Sequence, residues 1–596
     1  MEHKNIADMF WGQVEKYGDR TALKRKVNDK WEPVSWAEWG EMVQATVSGL
    51  AALGLKRGDR VSILSTNRVE WVAADMGIIC AGGVSVGIYS SNLPSEVAYV
   101  AGHAESPFIF VENEEQLNKV LEVKPQLSDL KKTIVFDMPS GFEDPNVISF
   151  DELLALGKDK IERGKALIND VKENVDMEEV ALLVYTSGTT GPPKGAMLTH
   201  KNILWTSKTG IDEMTITDRD ESLSFLPLAH LLEHFLFFGT TMLGATINFA
   251  ESIDKIGQNL VETKPTMIVG VPRVYEKIYA KLQNTAKEKG GLGAKIFEMA
   301  RETAIEYARK LSRKEAPGLS LKLKHSISDK LVYRKLRAAV GGNIRFLGSG
   351  GAPLSAEIAE FFYGAGLPII EAWGMTETTA PATLTRPDEI RPGAVGRPMP
   401  EVQVRIETDG EILVKGPNVF KGYFKNPTAT AEALVDGWMH TGDVGYFDKE
   451  GVLYITDRKK DLIITAGGKN IAPQNIENLM KTNSLFSQVV LVGDRQPYCV
   501  ALITLNEEEV LRIADRKGLD GKNYADLIET PEIIKEVEKA IEEKNSRLAR
   551  FEQIKKFRII SHDFSQETGE LTPTLKVKRK IVNEKYNDLI KEMYGG

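Results

Sequence analysis

Cysteine is nearly absent from this 596-residue chain, which contains only Cys80 and Cys499. Two cysteines so far apart form neither a disulfide framework nor a cysteine-rich metal site, and their scarcity favours a cytoplasmic protein. An excess of positive charge is also missing, since the formal net charge is -8. This acidic balance gives no electrostatic reason to expect a nucleic-acid partner.

The chain also lacks a long uninterrupted hydrophobic segment. Its first ten residues carry charges throughout, unlike a signal peptide. The most apolar segment, 231–249, is interrupted by Glu233 and His234, which leaves fewer than the ~20 residues needed to span a bilayer. We therefore expect a buried core element here. The sequence leaves open peripheral contact with a membrane, and whether the protein is a monomer or a homodimer.

The length predicts two or more domains, because one hydrophobic core does not grow to this size. Short apolar runs at 181–185, 267–271 and 344–347 precede Gly, Pro or Thr, as buried strands do. Helical patterns such as 296–311 and 331–340 lie between them. Strands interleaved with helices predict α/β layers. The Lys-rich region of about 281–340 is predicted to be a helical excursion on the surface.

The pattern changes after about residue 395. Two alternating strands, 402–406 and 411–414, flank an Asp-Gly turn at Asp409 and Gly410. A charged segment at 457–461 then indicates a domain boundary. The expected fold class is therefore α/β, mixed with α+β. A large N-terminal domain, 1–457, has α/β layers and a β-rich subdomain, and a small mobile α+β domain covers 458–596.

The clearest motif is the sequence YTSGTTGPPKG at 185–195, directly after an apolar strand. Hydroxyl groups and unhindered backbone N–H groups in a turning loop make a concave anion site, to which Lys194 adds a positive charge. A P-loop is excluded because it needs Gly directly before the Lys, where Pro193 stands. A flexible linker is the alternative, which the preceding strand disfavours. The predicted anion-binding residues are Thr186, Ser187, Gly188, Thr189, Thr190, Gly191 and Lys194.

Three further segments fit nucleotide chemistry, although each alone is also explained as an ordinary turn or helix cap. The segment 371–377, EAWGMTE, offers an aromatic ring beside Gly for a purine and hard oxygens suited to Mg²⁺. The segment 348–353, GSGGAP, lets backbone approach a planar base closely. In the segment 440–443, HTGD, Asp443 is suited to the vicinal hydroxyls of a ribose.

Together these segments resemble the adenylate-forming superfamily of acyl-CoA synthetases, nonribosomal-peptide adenylation domains and beetle luciferases. The resemblance covers nearly the whole chain in the right order. The long-chain fatty acyl branch is indicated by the form of the PLAH segment, by VPRVY at 271–275 and by the helical excursion. The other matching segments are 227–230, 393–398, 422–423 with 426–427, 457–461, 467–471 and 573–576.

The resemblance implies that a fatty acid, ATP with Mg²⁺, and coenzyme A are the substrates and cofactors. It implies Lys576, Thr186, Glu377 and His230 as catalytic residues, with Thr186 and Glu377 also serving the metal. It implies Lys460 as the hinge and Gly467 and Gly468 along the coenzyme A path. The remaining nucleotide-binding residues are Ser187, Gly188, Thr189, Thr190, Gly191, Lys194, Gly350, Gly351, Ala352, Glu371, Ala372, Trp373, Gly374, Met375, Thr376, Asp443 and Arg458. The usual Ser-Gly before the catalytic Lys is Thr574-Leu575 here, which leaves Lys578 as the alternative.

Two other functions stay open at this stage. The first is a fatty acyl-AMP ligase that loads a carrier protein instead of coenzyme A. The second is a zinc hydrolase, because His230, Glu233 and His234 match the H-x-x-E-H motif of inverted zinc proteases. Short motifs of this kind arise by chance, and a helix with a buried histidine explains His234 equally well.

Overall fold

A computed structural model describes residues 3–186, 192–288, 290–467, 469–519, 522–572 and 576–595 of the chain. None of its described helices is both long and apolar enough to cross a membrane. The predicted core element at 231–249 is confirmed, because it forms a buried helix, Leu231–Leu243, and a buried strand, Thr246–Phe249.

Helices occur along the whole described chain, with short 3-10 helices at Lys124–Gln126, Ile253–Lys255 and Thr376–Thr378 and a π-helical turn at Asp329–Tyr333. In chain order the α-helices are α1 (Ile6–Tyr17), α2 (Trp36–Ala52), α3 (Val69–Cys80), α4 (Pro94–His103), α5 (Glu114–Val123), α6 (Phe150–Asp159), α7 (Ile161–Asn174), α8 (His200–Glu213), α9 (Leu231–Leu243), α10 (Ile256–Thr263), α11 (Pro272–Glu288), α12 (Gly290–Ser312), α13 (Leu319–Ser328), α14 (Arg334–Ala339), α15 (Ala356–Gly364), α16 (Pro427–Ala433), α17 (Pro473–Lys481), α18 (Glu507–Lys517), α19 (Tyr524–Ile528), α20 (Pro531–Asn545), α21 (Arg579–Lys585) and α22 (Asn587–Tyr594).

Strands are short and fall mostly in the N-terminal three quarters. In chain order they are β1 (Thr21–Val27), β2 (Lys30–Ser35), β3 (Arg60–Leu64), β4 (Val84–Ile88), β5 (Phe108–Val111), β6 (Lys132–Val135), β7 (Val147–Ser149), β8 (Val180–Thr186), β9 (Lys194–Thr199), β10 (Glu221–Ser224), β11 (Thr246–Phe249), β12 (Met267–Gly270), β13 (Phe346–Ser349), β14 (Ile369–Met375), β15 (Ala380–Leu384), β16 (Arg397–Pro398), β17 (Gln403–Ile406), β18 (Glu411–Lys415), β19 (Gly422–Tyr423), β20 (Leu434–Val435), β21 (Trp438–Phe447), β22 (Leu453–Arg458), β23 (Ile463–Ile464), β24 (Asn470–Ile471), β25 (Phe486–Val492), β26 (Cys499–Leu505) and β27 (Ile554–Ile559).

Two large sheets form the body of the N-terminal part. One has the order β16-β15-β14-β13-β12-β10-β11-β1-β2, and the other β19-β9-β8-β4-β3-β5-β6-β7. Their central strands are parallel and buried on both faces, which is why β5 and β12 read as continuous apolar runs. The predicted α/β layers are confirmed.

A smaller sheet, β17-β18-β21-β20 with β22 beside β21, forms the β-rich part after residue 400. The predicted hairpin is confirmed, since β17 and β18 pair antiparallel around Asp409 and Gly410. Gly410 has φ +86°, a conformation that residues with a side chain rarely adopt. Strand β22 ends at Arg458, one residue beyond the boundary predicted at 457/458, and this boundary stays a prediction.

The C-terminal part has a core of its own. Strands β25, β26 and β27 form a three-stranded sheet, against which α17, α18 and α20 bury aliphatic side chains. The predicted helical excursion is also helical in the structure: α11, α12 and α13 follow one another, with the break between α12 and α13 at Pro317 and Gly318.

Candidate active site

A cavity of about 1760 Å³ lies where both large sheets, the β-rich part and the C-terminal part meet. All described residues of the predicted nucleotide site line it. These residues are Thr186, Lys194, Gly350, Gly351, Ala352, Glu371, Ala372, Trp373, Gly374, Met375, Thr376, Asp443 and Arg458. The predicted metal-binding residue Glu377 and the predicted hinge residue Lys460 line the cavity too. His230 and Lys576 line it as well.

The predicted anion-binding end of the cavity is formed by an antiparallel strand pair. Strand β8 ends at Thr186 and β9 begins at Lys194, so that these two residues face each other in register. The Thr186 hydroxyl lies 3.4 Å from the Lys194 carbonyl oxygen. The predicted residues Ser187, Gly188, Thr189, Thr190 and Gly191 lie outside the described residues.

Glu377 enters this end of the cavity from the 3-10 helix that follows β14. Its carboxylate is buried and accepts a 2.5 Å hydrogen bond from the Tyr423 hydroxyl. Burial, and then the charge of Glu377, raise the pKa of Tyr423, which therefore stays a neutral donor. The Lys194 ammonium lies 4.9 Å from the centre of the Tyr423 ring. A carboxylate and a lysine thus share one aromatic neighbour, Tyr423, at this end of the cavity.

Trp373, Asp443 and Arg458 meet although they are distant in sequence. The indole N–H of Trp373 donates a 2.8 Å hydrogen bond to Asp443 Oδ2, and Arg458 Nε lies 3.3 Å from Asp443 Oδ1. Strand pairing explains the second contact, since Asp443 on β21 lies opposite Arg458 on β22. A hydrogen bond from Trp373 and an ion pair with Arg458 therefore hold the orientation of this carboxylate at the cavity wall.

A lysine from the C-terminal part reaches the turn after β13. Gly351 has φ +79°, and a Cβ built on it would lie 3.9 Å from Lys576 Nζ. Burial, and then the charge of Arg458, lower the pKa of Lys576 to about 8. The backbone of Lys576 is held by Thr572, whose N–H donates a 2.8 Å hydrogen bond to the Lys576 carbonyl oxygen. Lys578, the alternative from the sequence, also lines the cavity.

His230 caps the N-terminus of α9 and faces the same space. Its Nδ1 accepts a 3.2 Å hydrogen bond from the Leu232 N–H. Burial, and then the charge of Lys576, lower the pKa of His230 to about 3. The imidazole is therefore neutral at physiological pH, so it can orient a neighbouring group through a hydrogen bond but adds no positive charge.

The geometry does not support the zinc-hydrolase alternative. His234 points away from His230 into the core, where its Nε2 lies 3.0 Å from Asp75 Oδ2 and its ring stacks on Phe238. Glu233 is buried, and burial raises its carboxyl pKa to about 8. No group of three or more His, Cys, Asp or Glu side chains suited to a metal occurs among the described residues.

The rest of the segment 371–377 shapes the wall instead of supplying charge. Glu371 is buried and its Oε1 accepts a 2.7 Å hydrogen bond from the Gly393 N–H, while burial raises its pKa to about 8. A Cβ on Gly374 would lie 1.9 Å from the Ala380 carbonyl oxygen, so only glycine fits between these strands.

The predicted hinge residue and the predicted coenzyme A path lie in different surroundings. Lys460 lines the cavity, and burial, followed by the charge of Arg458, lowers its pKa. Its neighbour Lys459 is paired with Asp409 at 2.6 Å and with Glu411 at 2.9 Å. Gly467 is exposed and is not one of the described residues that line this cavity, and Gly468 lies outside the described residues.

Sequence reasoning gave no role to three cavity residues. Tyr423 and Asp457 lie in segments that resemble the adenylate-forming superfamily, and this resemblance was the signal that could have identified them. Burial raises the pKa of Asp457 to about 6, although its carboxylate accepts backbone hydrogen bonds from Arg458 and Gln474. Glu411 binds the Gly442 N–H at 3.0 Å, and nothing local in its strand indicated this role.

An oriented carboxylate, a lysine beside a threonine hydroxyl and a second lysine from the C-terminal part line one cavity, as the sequence predicts for an enzyme that acts on a nucleotide. Comparison with known families agrees. The chain belongs to the AMP-binding enzyme family: the model described as AMP-binding enzyme matches residues 10–424, and the AMP-binding enzyme C-terminal domain matches residues 460–596.

Curated relatives match over almost the full length. A protein named long-chain-fatty-acid–CoA ligase FadD15 from Mycobacterium bovis is 37% identical, with 100% of this chain and 97% of the relative covered. The human long-chain-fatty-acid–CoA ligase ACSBG1 is 34% identical, with 98% and 84% covered.

Solved structures share the fold at low identity. The A domain of carboxylic acid reductase from Segniliparus rugosus, in complex with AMP and a carboxylic acid, has a TM-score of 0.77 at 19% identity, covering 100% of this chain and 95% of that one. The anthranilate CoA ligase AuaEII, in complex with anthranoyl-AMP, has a TM-score of 0.74 at 18% identity, covering 99% and 98%.

Proposed function

We propose that the chain is an AMP-forming long-chain fatty-acid–CoA ligase. It first joins a fatty acid to ATP as acyl-AMP with release of pyrophosphate, and then transfers the acyl group to coenzyme A. The observation that carries the proposal is the position of Lys576, a partly buried lysine from the C-terminal part, beside Gly351 in the cavity that Trp373 and Asp443 also line. The full-length relatives named long-chain-fatty-acid–CoA ligases support the choice of substrate.

The first half-reaction needs charge neutralisation and positioning. A fatty carboxylate is already ionised at neutral pH, so its attack on the α-phosphorus needs no general base. Lys576 would bridge the carboxylate and the α-phosphate, where negative charge is redistributed as the new bond forms. Neutral His230 would orient the carboxylate from the other side.

The remaining polar residues would hold the nucleotide. Asp443 with Arg458 would bind the ribose hydroxyls, and the turn at Gly350, Gly351 and Ala352 would lie along the adenine together with Trp373. Lys194 and Thr186 would contact the β- and γ-phosphates, with Ser187, Gly188, Thr189, Thr190 and Gly191 as further proposed contacts.

The anion-binding end also fits Mg²⁺. The Glu377 carboxylate and the hydroxyl oxygens of Thr186 and Thr376 line the same cavity, and hard oxygens are the ligands that Mg²⁺ prefers. We propose Glu377 and Thr186 as the residues that hold it. The bound ion would supply neutralisation of the phosphate charge.

An apolar part of the cavity supports an aliphatic substrate. Its walls come from α9, β12, β15 and the residue that follows α8, and their chemistry suits a chain of methylene groups rather than a polar acid. The apolar lining side chains include Met214, Leu231, Leu232, Phe235, Val269 and Leu384.

The second half-reaction needs Lys576 to leave the adenylate so that the thiol can reach it. We propose that the C-terminal domain, 458–596, rotates about Lys460 and brings Gly467 and Gly468 to the coenzyme A path. The exposed position of Gly467, away from the cavity in this arrangement, fits such a rotation. Peripheral contact with a membrane is part of the proposal, because the substrate is a membrane-partitioning acid.

The deciding experiment measures pyrophosphate release against carboxylic acids of increasing chain length, with and without coenzyme A, together with acyl-CoA formed. Acyl-CoA formation from long-chain acids with coenzyme A alone would support the ligase. Accumulation of acyl-AMP that is released only by a carrier protein would favour the carrier-loading alternative.

A further inference from the structure

Helix α13 carries an apolar stripe on its solvent side. Leu319 is 86% exposed, Leu323 65% and Ile327 45%. A spacing of four residues puts these side chains on one face of the helix. Leu331, also exposed, continues the stripe into the π-helical turn that follows. Four large aliphatic side chains thus follow one another along a surface that faces water.

The opposite face of α13 is fixed to the protein, so the helix cannot turn to bury the stripe. Leu321 is buried in that face. The His325 ring stacks on Tyr307 with 4.0 Å between ring centres, and its Nε2–H donates a 2.7 Å hydrogen bond to the Gly364 carbonyl oxygen. The helix therefore has an apolar side toward the core and a second apolar side toward solvent.

Positive charge is concentrated in the segment that carries the exposed stripe. Residues 319–340 contain six Lys or Arg and one Asp, a formal net charge of +5 in a chain whose net charge is -8. The single acid, Asp329, is already paired with Arg334 and Arg337. Four exposed lysines have no ion-pair partner among the described residues: Lys322, Lys324, Lys330 and Lys335.

We propose that this stripe, formed by Leu319, Leu323, Ile327 and Leu331, docks the protein on the surface of an anionic phospholipid bilayer. The aliphatic side chains would enter the boundary between headgroups and acyl chains, with the helix lying in the plane of the membrane. The flanking lysines would meet the lipid phosphates while their stems cover apolar surface. An aliphatic stripe bordered by lysines with no acidic partner matches an anionic lipid surface in both chemistry and charge.

The test uses the full-length protein without substrate and vesicles of phosphatidylcholine with about one-third phosphatidylglycerol, compared with pure phosphatidylcholine. Flotation measures the partition coefficient. Leu319→Asp with Leu323→Asp should lower it at least roughly tenfold. Ile253→Asp is the matched control, because Ile253 is 64% exposed outside the stripe and its replacement should change nothing.

The charge arm replaces Lys322 and Lys324 with Gln. Each lysine near an anionic surface contributes roughly a fivefold change in binding, so the pair should lower the partition coefficient on anionic vesicles roughly 25-fold, with little change on neutral ones. Equal binding by all variants would overturn the proposal. So would a change from dimer to monomer in the leucine variant without a change in flotation, because the stripe would then join two copies.

A thermal melt of each variant controls for folding. If the aspartate pair lowers the melting temperature, Leu319→Ser with Leu323→Ser replaces it, and retained flotation by a well-folded serine pair contradicts the proposal. Because binding is measured without substrate, failure here leaves the proposed ligase activity untouched.

Discussion

Replacing Lys576 with Ala should remove one partly buried positive charge from the adenylation step. A unit charge about 4 Å from a unit charge contributes about 4 kcal/mol at the effective dielectric of a protein surface site. Such a loss from the transition state corresponds to a rate reduction of roughly 10³-fold, at the upper end of what loss of one preorganised donor costs. The expected loss is thus between about 10²- and 10³-fold in acyl-AMP formation.

The pH dependence tests the same residue independently. Because burial lowers the pKa of Lys576 to about 8, its charged form should exceed the neutral form roughly tenfold at pH 7 and be outnumbered roughly tenfold at pH 9. Adenylation should therefore fall as pH rises through 8. Lys576→Arg keeps its charge at both pH values, so whatever activity it retains should lose this decline.

The assay separates the two half-reactions in single-turnover samples. Pyrophosphate and acyl-AMP report the first step, and acyl-CoA formed from supplied acyl-AMP reports the second. Lys576→Ala should impair only the first step, and Lys578→Ala is the matched control that should impair neither. Equal losses in both steps, or a severe loss in Lys578→Ala alone, would refute the role given to Lys576.

Three further changes follow from the geometry. Glu377→Gln should reduce adenylation roughly 10- to 100-fold by removing a charged ligand for Mg²⁺, and pyrophosphate release over a magnesium titration measures it; normal activity at ordinary magnesium would exclude Glu377. Lys460→Pro should still release pyrophosphate and accumulate acyl-AMP while thioester formation falls by orders of magnitude, since proline fixes φ at the proposed hinge; wild-type acyl-CoA formation in single-turnover samples would contradict it. Burial raises the pKa of Glu233 to about 8, so the folded protein keeps this carboxyl protonated at pH values where the unfolded chain, with a pKa of about 4.5, releases the proton. The free energy of unfolding of the wild-type protein should therefore fall as the pH rises from about 4.5 to about 8. In urea denaturation, the free energy of unfolding of Glu233→Gln relative to wild type should increase by up to about 1.4 kcal/mol per pH unit between pH 5 and 7. A difference between the two proteins that does not change with pH would refute the buried neutral carboxyl.

Local patterns predicted the strands that carry the site. An apolar run before a Gly/Thr loop identified β8, and the Asp-Gly turn identified the hairpin of β17 and β18, because each signal lies within a few neighbouring residues. The family resemblance added the nucleotide site as a hypothesis. The structure brings the described members of that set to one cavity, whereas Gly467, predicted for the coenzyme A path, does not line it.

Contacts between distant segments could not be predicted in this way. Tyr423 binds Glu377 across 46 positions of sequence, and Glu411 holds the Gly442 N–H from a strand with no distinguishing pattern. The H-x-x-E-H motif shows the opposite kind of error, in which sequence spacing suggests a site that the structure does not form. Spacing alone would put two histidines on one helix face, but His230 caps the helix while His234 pairs with Asp75 in the core.

The contacts between the N-terminal part and the C-terminal part determine how easily the two parts could separate between the two proposed half-reactions. Lys481 pairs with Glu276 at 3.2 Å, and the Arg273 guanidinium donates a 2.8 Å hydrogen bond to the Ser487 carbonyl oxygen. They belong to a polar interface that also includes Lys287 paired with Glu509 at 2.7 Å and Arg547 paired with Glu357 at 3.1 Å, and no hydrophobic cluster of the described residues extends from one part into the other. Holding Lys576 against Gly351 therefore does not demand a permanent interface. A rotation that withdraws the lysine would break polar contacts that water replaces, while each hydrophobic core stays intact.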